Sequence, residues 1–284
     1  MQLDLFIDNR RTILVNAADE HLRNLDLEQA ATLYQEIQSE APNDPTVISH
    51  KNAIENWQRR LEQFHSAPPG VDRIYHLYEH LSEPGPAALL SGIRSFIIAQ
   101  LQMEEPPELI FVPPRFHIGC LLLEAGRPVE AEKWFFLALD SGITERGRFL
   151  AWLGDVLTVE SQTESARECY LAAFLEDPLG VDVSGLRDDA VREMLIEMEE
   201  EGVAEEDTVY WVPVWGWLKG VFGLETTIAS SGEMSLPRRW FECIRHAERL
   251  RTGVRGDGEL LRLRKRMKEM NPAMFGKYME KIRG

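Results

Sequence analysis

The feature that most limits what this chain can fold into is a spacing of small and aromatic residues that occurs three times. From Gly119, Gly126 follows seven residues on, then Ala131, Phe135 and Ala138. From Gly154, the residues Ala166, Tyr170 and Ala173 stand at the same offsets, with Pro178 after them. Upstream, Ala18, Ala30, Tyr34 and Ile37 repeat the set ahead of Pro42. Ala131 and Ala166 are 35 residues apart, and Ala30 precedes Ala131 by 101, close to three periods of about 34.

These offsets resemble the tetratricopeptide repeat, a pair of antiparallel helices. In that arrangement the small residue in the first helix lets the second approach, the alanine opening the second faces it, the aromatic fills the gap toward the next copy, and the proline ends the helix. The resemblance implies an all-α fold, an α-α superhelix of helical hairpins, with clear copies near 11–44, 112–145 and 147–180. It covers about 105 of the 284 residues. Two positions depart from the family: Ile143 stands where Pro is usual, and Leu25 where Gly is usual, with Asp26 behind it. Between Pro45 and Leu109 the period is lost. Helices are still written at Pro45–Phe64, Val71–Ser82 and Ala87–Met103, separated by SAPPG and EPGP, and they read as degenerate hairpins filling 45–109 of a repeat region 1–178. After Pro178 the pattern changes. Leu186–Glu200 reads as an amphipathic helix, and Val209–Leu224, with three of the seven Trp, as a buried irregular one. Pro237–Leu250, Glu259–Met270 and Pro272–Ile282 read as short closing helices. Residues 179–284 are expected to form a C-terminal helical cap, because the end of a solenoid has an apolar face to cover. Alternating β-branched runs bounded by turn dipeptides are almost absent.

Charge is uneven along the chain. The net charge is −16, yet Arg238–Gly284 holds 14 Lys or Arg against 6 Asp or Glu, which leaves −24 on the rest. The acidic part includes the run Glu197–Asp207 (EMEEEGVAEED). A basic helical layer docked on an acidic body is the favoured reading over a polyanion-binding tail, since apolar residues recur in the basic segment at helical spacing. Tight nucleic-acid binding is not expected: phosphate neutralisation alone would drive it, and the acidic body repels a polyanion. No apolar run is long enough to span a bilayer. The start, MQLDLFIDNRR, lacks a basic stretch followed by an apolar one. Cys120, Cys169 and Cys243 are far apart without metal-ligand spacing, which fits reduced thiols. The expectation is a cytoplasmic protein with no membrane partner.

One catalytic pattern matches. His76-Leu77-Tyr78-Glu79-His80 fits H-x-x-E-H, resembling the zinc signature of the inverted metallopeptidases, in which His76 and His80 would share a Zn²⁺ with Glu79 as base. That family also needs a distant Glu ligand, for which Glu160 is in range, and a large α/β scaffold that this chain lacks. A histidine-rich amphipathic helix is the preferred reading. His117 and Cys120 share a helix face, but no second pair completes a zinc site. Gly216, Gly220 and Gly223 are not followed by the lysine of a phosphate loop. The expectation is a non-enzymatic protein without cofactor that binds another protein.

Two candidate surfaces follow. Gln2-Leu3-Asp4-Leu5-Phe6 resembles the peptide by which bacterial replication and repair proteins dock on the DNA polymerase sliding clamp. Leu5 and Phe6 would anchor in one apolar pocket and Leu3 in a second, with Gln2 at the rim; folding back as a cap on the first repeat is the competing reading. The repeat resemblance further implies a concave face lined by first helices. It would hold Val15, Asp19 and Leu22, then Phe116, Cys120 and Leu123, then Ala151, Asp155 and Thr158. The Lys and Asn set that clamps a chaperone-tail carboxylate in the family is missing, so a basic or amphipathic protein segment suits the face better. Core between helices is the alternative role for these residues.

Overall fold

The computed structural model describes residues 2–201, 208–225, 235–252 and 257–283, and their side chains from Arg10 onward except those of Thr252 and Asp257. Among these residues there are fourteen α-helices and no strand, only an isolated bridge between Val112 and Phe116. The protein is all-α. No described helix is long and apolar enough to cross a membrane. The chain divides into two compact units, residues 1–131 and 132–284, so the boundary expected after residue 178 falls inside the second.

The first unit holds α1 (Gln2–Arg23), α2 (Leu27–Glu40), α3 (Pro45–Ser66), α4 (Val71–Glu79), α5 (Ala87–Leu101) and α6 (Ile118–Glu124). Local chemistry sets the helix starts. The Asp44 carboxylate accepts from Thr46 N at 2.8 Å, and Pro45 occupies the first turn of α3, where its missing N–H costs nothing. Packing runs α1 on α2, α2 on α3, α3 on α4 and α4 on α5, and then α5 returns onto α1. In an open array each repeat touches only its neighbours. Here the stretch read as degenerate hairpins instead closes a bundle over α1. Gly92 makes the closure possible: a Cβ there would sit 2.5 Å from the Leu22 carbonyl oxygen.

α7 (Pro128–Asp140) crosses the unit boundary. The second unit continues with α8 (Arg146–Val159), α9 (Thr163–Glu176), α10 (Asp189–Glu200), α11 (Thr208–Lys219), α12 (Leu236–Thr252), α13 (Asp257–Met270) and α14 (Pro272–Lys281). α8 and α9 lie face to face. A Cβ on Gly154 would fall 2.7 Å from the Tyr170 ring, the close approach that the repeat spacing encodes. α11 is the hub of the C-terminal helices and touches α9, α10, α12 and α14. It buries Trp211, Trp215 and Trp217, and Pro213 stands inside it. Trp240 of α12 and Tyr278 of α14 close over it, with Trp217 stacked on Tyr278 at 5.8 Å. Trp240 also donates to the Met267 carbonyl at 3.1 Å, which fixes α13.

The three hairpin turns share one geometry. Leu25, Gly126 and Ser161 follow the small residue of their copies by seven positions, and all have positive φ: 58°, 72° and 62°. In each, the next N–H reaches back five residues: Asp26 to His21 O at 2.9 Å, Arg127 to Leu122 O at 2.9 Å, Gln162 to Leu157 O at 2.8 Å. This is a left-handed helix stop that satisfies the last carbonyls. Leu25 therefore adopts the conformation that Gly supplies in the middle copy.

Candidate protein-binding groove

Six of the nine residues expected on a concave face are closed off from solvent: Leu22, Phe116, Cys120, Leu123, Ala151 and Asp155. Val15, Asp19 and Thr158 are half-exposed. Phe116 lies edge-on to Tyr75 at 5.1 Å, inside the first unit. Asp155, 1% exposed, accepts from the Tyr170 hydroxyl at 2.7 Å and from Arg187 N at 2.9 Å. Burial, and then the Asp155 charge, hold the Tyr170 hydroxyl far above its usual pKa, so it stays a donor. Thr158 Oγ1 completes this cluster, donating to Gly154 O at 2.8 Å. Asp155 thus ties α8 to α9 and to the segment leading into α10, where Asp188 caps the helix by accepting from Val191 N at 3.0 Å. These residues hold the hairpin together internally.

The accessible apolar surface lies elsewhere, in a groove of about 520 Å³ where α7, α8 and α9 meet. Its walls follow helical spacing. Phe136 and Leu139 come from α7 and Leu150 from α8, all open to solvent in part, with the buried Leu153 and Leu157 of α8 beneath them and the edge from Ser165 and Cys169 of α9. Phe136 is 52% exposed. Glu132, Asp140 and Glu168 stand at the rim, and none is engaged by an ion pair among the described residues. Arg146, the one cation of the lining among the described residues, is already committed: Nε donates to Glu176 at 2.9 Å and a terminal nitrogen to the Leu139 carbonyl at 2.8 Å. It fastens the end of α7 to α8 and α9 and leaves the rim acidic.

Burial, then Glu168 and Glu132, push the Cys169 thiol up to about 11, so it is not a thiolate nucleophile at neutral pH. Elsewhere, His117 is fully buried and burial lowers its pKa to about 4. Its Nε2 donates to Glu108 O at 3.1 Å and its Nδ1 accepts from Gly119 N at 3.0 Å, so it caps α6 with both nitrogens occupied. His76 and His80 meet edge to face with ring centroids 5.1 Å apart. Each Nδ1 is turned to a carboxylate, Glu79 at 3.3 Å and Glu83 at 2.8 Å. Glu160 accepts from Gln162 at 3.0 Å. Among the described residues no group of three or more His, Cys, Asp or Glu could hold a metal ion.

No protein-family model, curated protein or solved structure matches this chain. The reading of the groove therefore rests on its own chemistry: an apolar floor and an acidic rim whose carboxylates make no ion pair among the described residues, built on three helices. Such a surface can take up an apolar helix face flanked by cations.

The groove residues were not singled out by the repeat spacing, which names the faces that meet and not the face left open. A signal was present in Phe135-Phe136. Two adjacent aromatics on a helix point about 100° apart, so with Phe135 fully buried, Phe136 had to look elsewhere. The backbone of Gln2, Leu3, Asp4, Leu5 and Phe6 is helical within α1, and their side chains lie outside the described ones.

Proposed function

We propose that this chain is a non-enzymatic, tetratricopeptide-like scaffold whose α7–α8–α9 groove receives a basic amphipathic helix of another protein. The observation that carries this reading is the pairing of the exposed Phe136 and the part-exposed Leu139 and Leu150 with the carboxylates of Glu132, Asp140 and Glu168, none of which makes an ion pair among the described residues. Apolar burial would supply affinity, and the rim would select for Lys or Arg flanking the buried face. α8 has 14 residues, so a helix of about 15 residues, roughly 22 Å long, matches the groove.

The test is fluorescence anisotropy with two labelled peptides of that length, one of Leu and Lys in amphipathic order and one of Leu and Glu. The Lys peptide should bind, and the Leu-Glu peptide should not. D140K/E168K, both at exposed positions, should weaken the Lys peptide by about tenfold or more, and F136S should weaken it without changing its salt dependence. Equal binding of the two peptides, or indifference to both variants, rules the reading out.

The five-position match at Gln2–Phe6 supports a second reading, an accessory factor of bacterial DNA replication or repair recruited to the sliding clamp. It is tested by a clamp pull-down with and without residues 1–10. Retention of both forms, or of neither, excludes it.

A further inference from the structure

We propose that the groove also takes α13 of a second copy of this chain, so that the protein associates with itself head to tail. The proposal rests on the groove reading above and names one occupant for it. The charge distribution is the first argument. Arg238–Gly284 carries 14 Lys or Arg against 6 Asp or Glu in a chain whose net charge is −16. Two copies therefore present each other with opposite surfaces, basic C-terminal helices against an acidic body.

The geometry of α13 is the second argument. Met267 is fully buried, and α12 and α14 hold the helix from that side. Its opposite side faces solvent. Leu261 is 67% exposed there, and Lys265 and Lys268 follow it at four and seven residues, the spacing of one helix face. Arg262 and Arg266 flank that face and are exposed as well. Lys265 leans on Glu269 at 3.8 Å, with both side chains largely in water, a pairing easily exchanged for another carboxylate. One apolar knob ringed by cations is the complement of one apolar groove rimmed by Glu132, Asp140 and Glu168. The helix is already folded and held, so docking would order few groups.

Groove and knob are different surfaces of the same unit, so the contact is heterologous. Such contacts propagate into open chains, or close into a ring where the rotation allows, the smallest being a pair in which each copy fills the other's groove. Association should therefore grow with concentration and should weaken with salt.

Sedimentation velocity on the full chain tests this. At about 50 mM salt and about 100 µM protein the weight-average mass should rise at least twofold above the monomer, and at about 500 mM salt, where the screening length falls to roughly 4 Å, it should return to the monomer. K265E/K268E and D140K/E168K change exposed positions and should each remain monomeric with unchanged helical circular dichroism. Mixed in equal amounts they should associate again, because each restores the opposite sign for the other. A wild-type monomer under all conditions overturns the proposal, as does association that either variant leaves intact, or a mixture that stays monomeric. The Leu-Lys peptide separates the two readings. A monomeric chain that still binds it keeps the groove and loses the second copy; a monomeric chain that does not bind it loses both.

Discussion

Asp19 and Asp155 occupy the same place in two hairpins, one residue after the small side chain at the crossing, yet Asp155 is 1% exposed and Asp19 is half in water. The apolar frame around them is the same. Ala18, Ala30 and Tyr34 in α1–α2, and Ala166 and Tyr170 in α8–α9, are all at most 2% exposed. What differs is where the tyrosine hydroxyl goes. Tyr34 reaches forward to His50 of α3 at 3.0 Å, and burial pushes its hydroxyl up to about 12. Tyr170 turns back to Asp155 of its own hairpin at 2.7 Å. That turn draws the ring across Gly154, leaving no room for a Cβ, whereas the first hairpin carries Ala18 at the matching position. The shared spacing sets the apolar contact. The polar ends decide which segment comes next: α3 in the first hairpin, and the Arg187 turn leading to α10 in the other.

The largest expected effect is a direct test of this contrast. Asp155→Ala leaves the Tyr170 hydroxyl and Arg187 N–H without their acceptor, at about 1–3 kcal/mol each, so a loss of about 2–5 kcal/mol is expected in urea denaturation. Asp19→Ala should cost less than about 1 kcal/mol, the usual range for a surface position. Equal losses would mean that the two carboxylates do the same work and that the comparison is wrong.

A middle-sized effect is expected at the crossing itself. In Gly154→Ala the new Cβ would meet three Tyr170 ring atoms at 2.7–2.9 Å. Alanine gains roughly 1 kcal/mol in helix propensity, but overpacking costs about 1–3 kcal/mol, so a net loss of up to about 2 kcal/mol is expected. The Asp155→Ala background sharpens the test. With its acceptor gone the ring can move aside, and the cost of Gly154→Ala should fall by about 0.5 kcal/mol or more in a double-mutant cycle. Strict additivity would show that Tyr170 is not held against Gly154 by Asp155.

The same contrast separates what was legible in the sequence from what was not. Small and aromatic residues at fixed offsets report a close helix crossing, and α1–α2 and α8–α9 fall where that spacing puts them. The closing of α5 over α1 was hidden because Gly92 is a single glycine in an apolar helix, and its partners are carbonyls of a helix some seventy residues earlier. For the concave-face residues the sequence left two roles open, surface and core, and burial places six of the nine in the second. Asp155 looks like a surface carboxylate by type, and only the positions of Tyr170 and the Arg187 turn make it an internal acceptor. The acidic rim could be read as acidic, but Arg146 could not be read as already committed to Glu176 and Leu139.

The smallest effect lies in the turns, where the two hairpins again share geometry and differ in surroundings. Ser161 and Leu25 both hold the left-handed conformation, φ 62° and 58°, at the position where the middle copy has Gly126. That conformation costs an L-residue roughly 1–2 kcal/mol, part of which glycine returns through its greater freedom in the unfolded chain. Ser161 is exposed, so Ser161→Gly should stabilise the protein by about 0.5–1 kcal/mol. Leu25 is half-buried, and its Cδ2 lies 2.9 Å from where a Gly92 Cβ would be, against α5. Leu25→Gly relieves the same strain but removes that contact, so its net effect should lie between zero and a loss of about 1 kcal/mol. Thermal denaturation of the two variants side by side gives the answer. If Leu25→Gly stabilises as much as Ser161→Gly does, the leucine contributes nothing to holding α5. The closure of the first unit would then rest on the approach of Gly92 to the Leu22 and Arg23 carbonyls and on the remaining apolar contacts of α5.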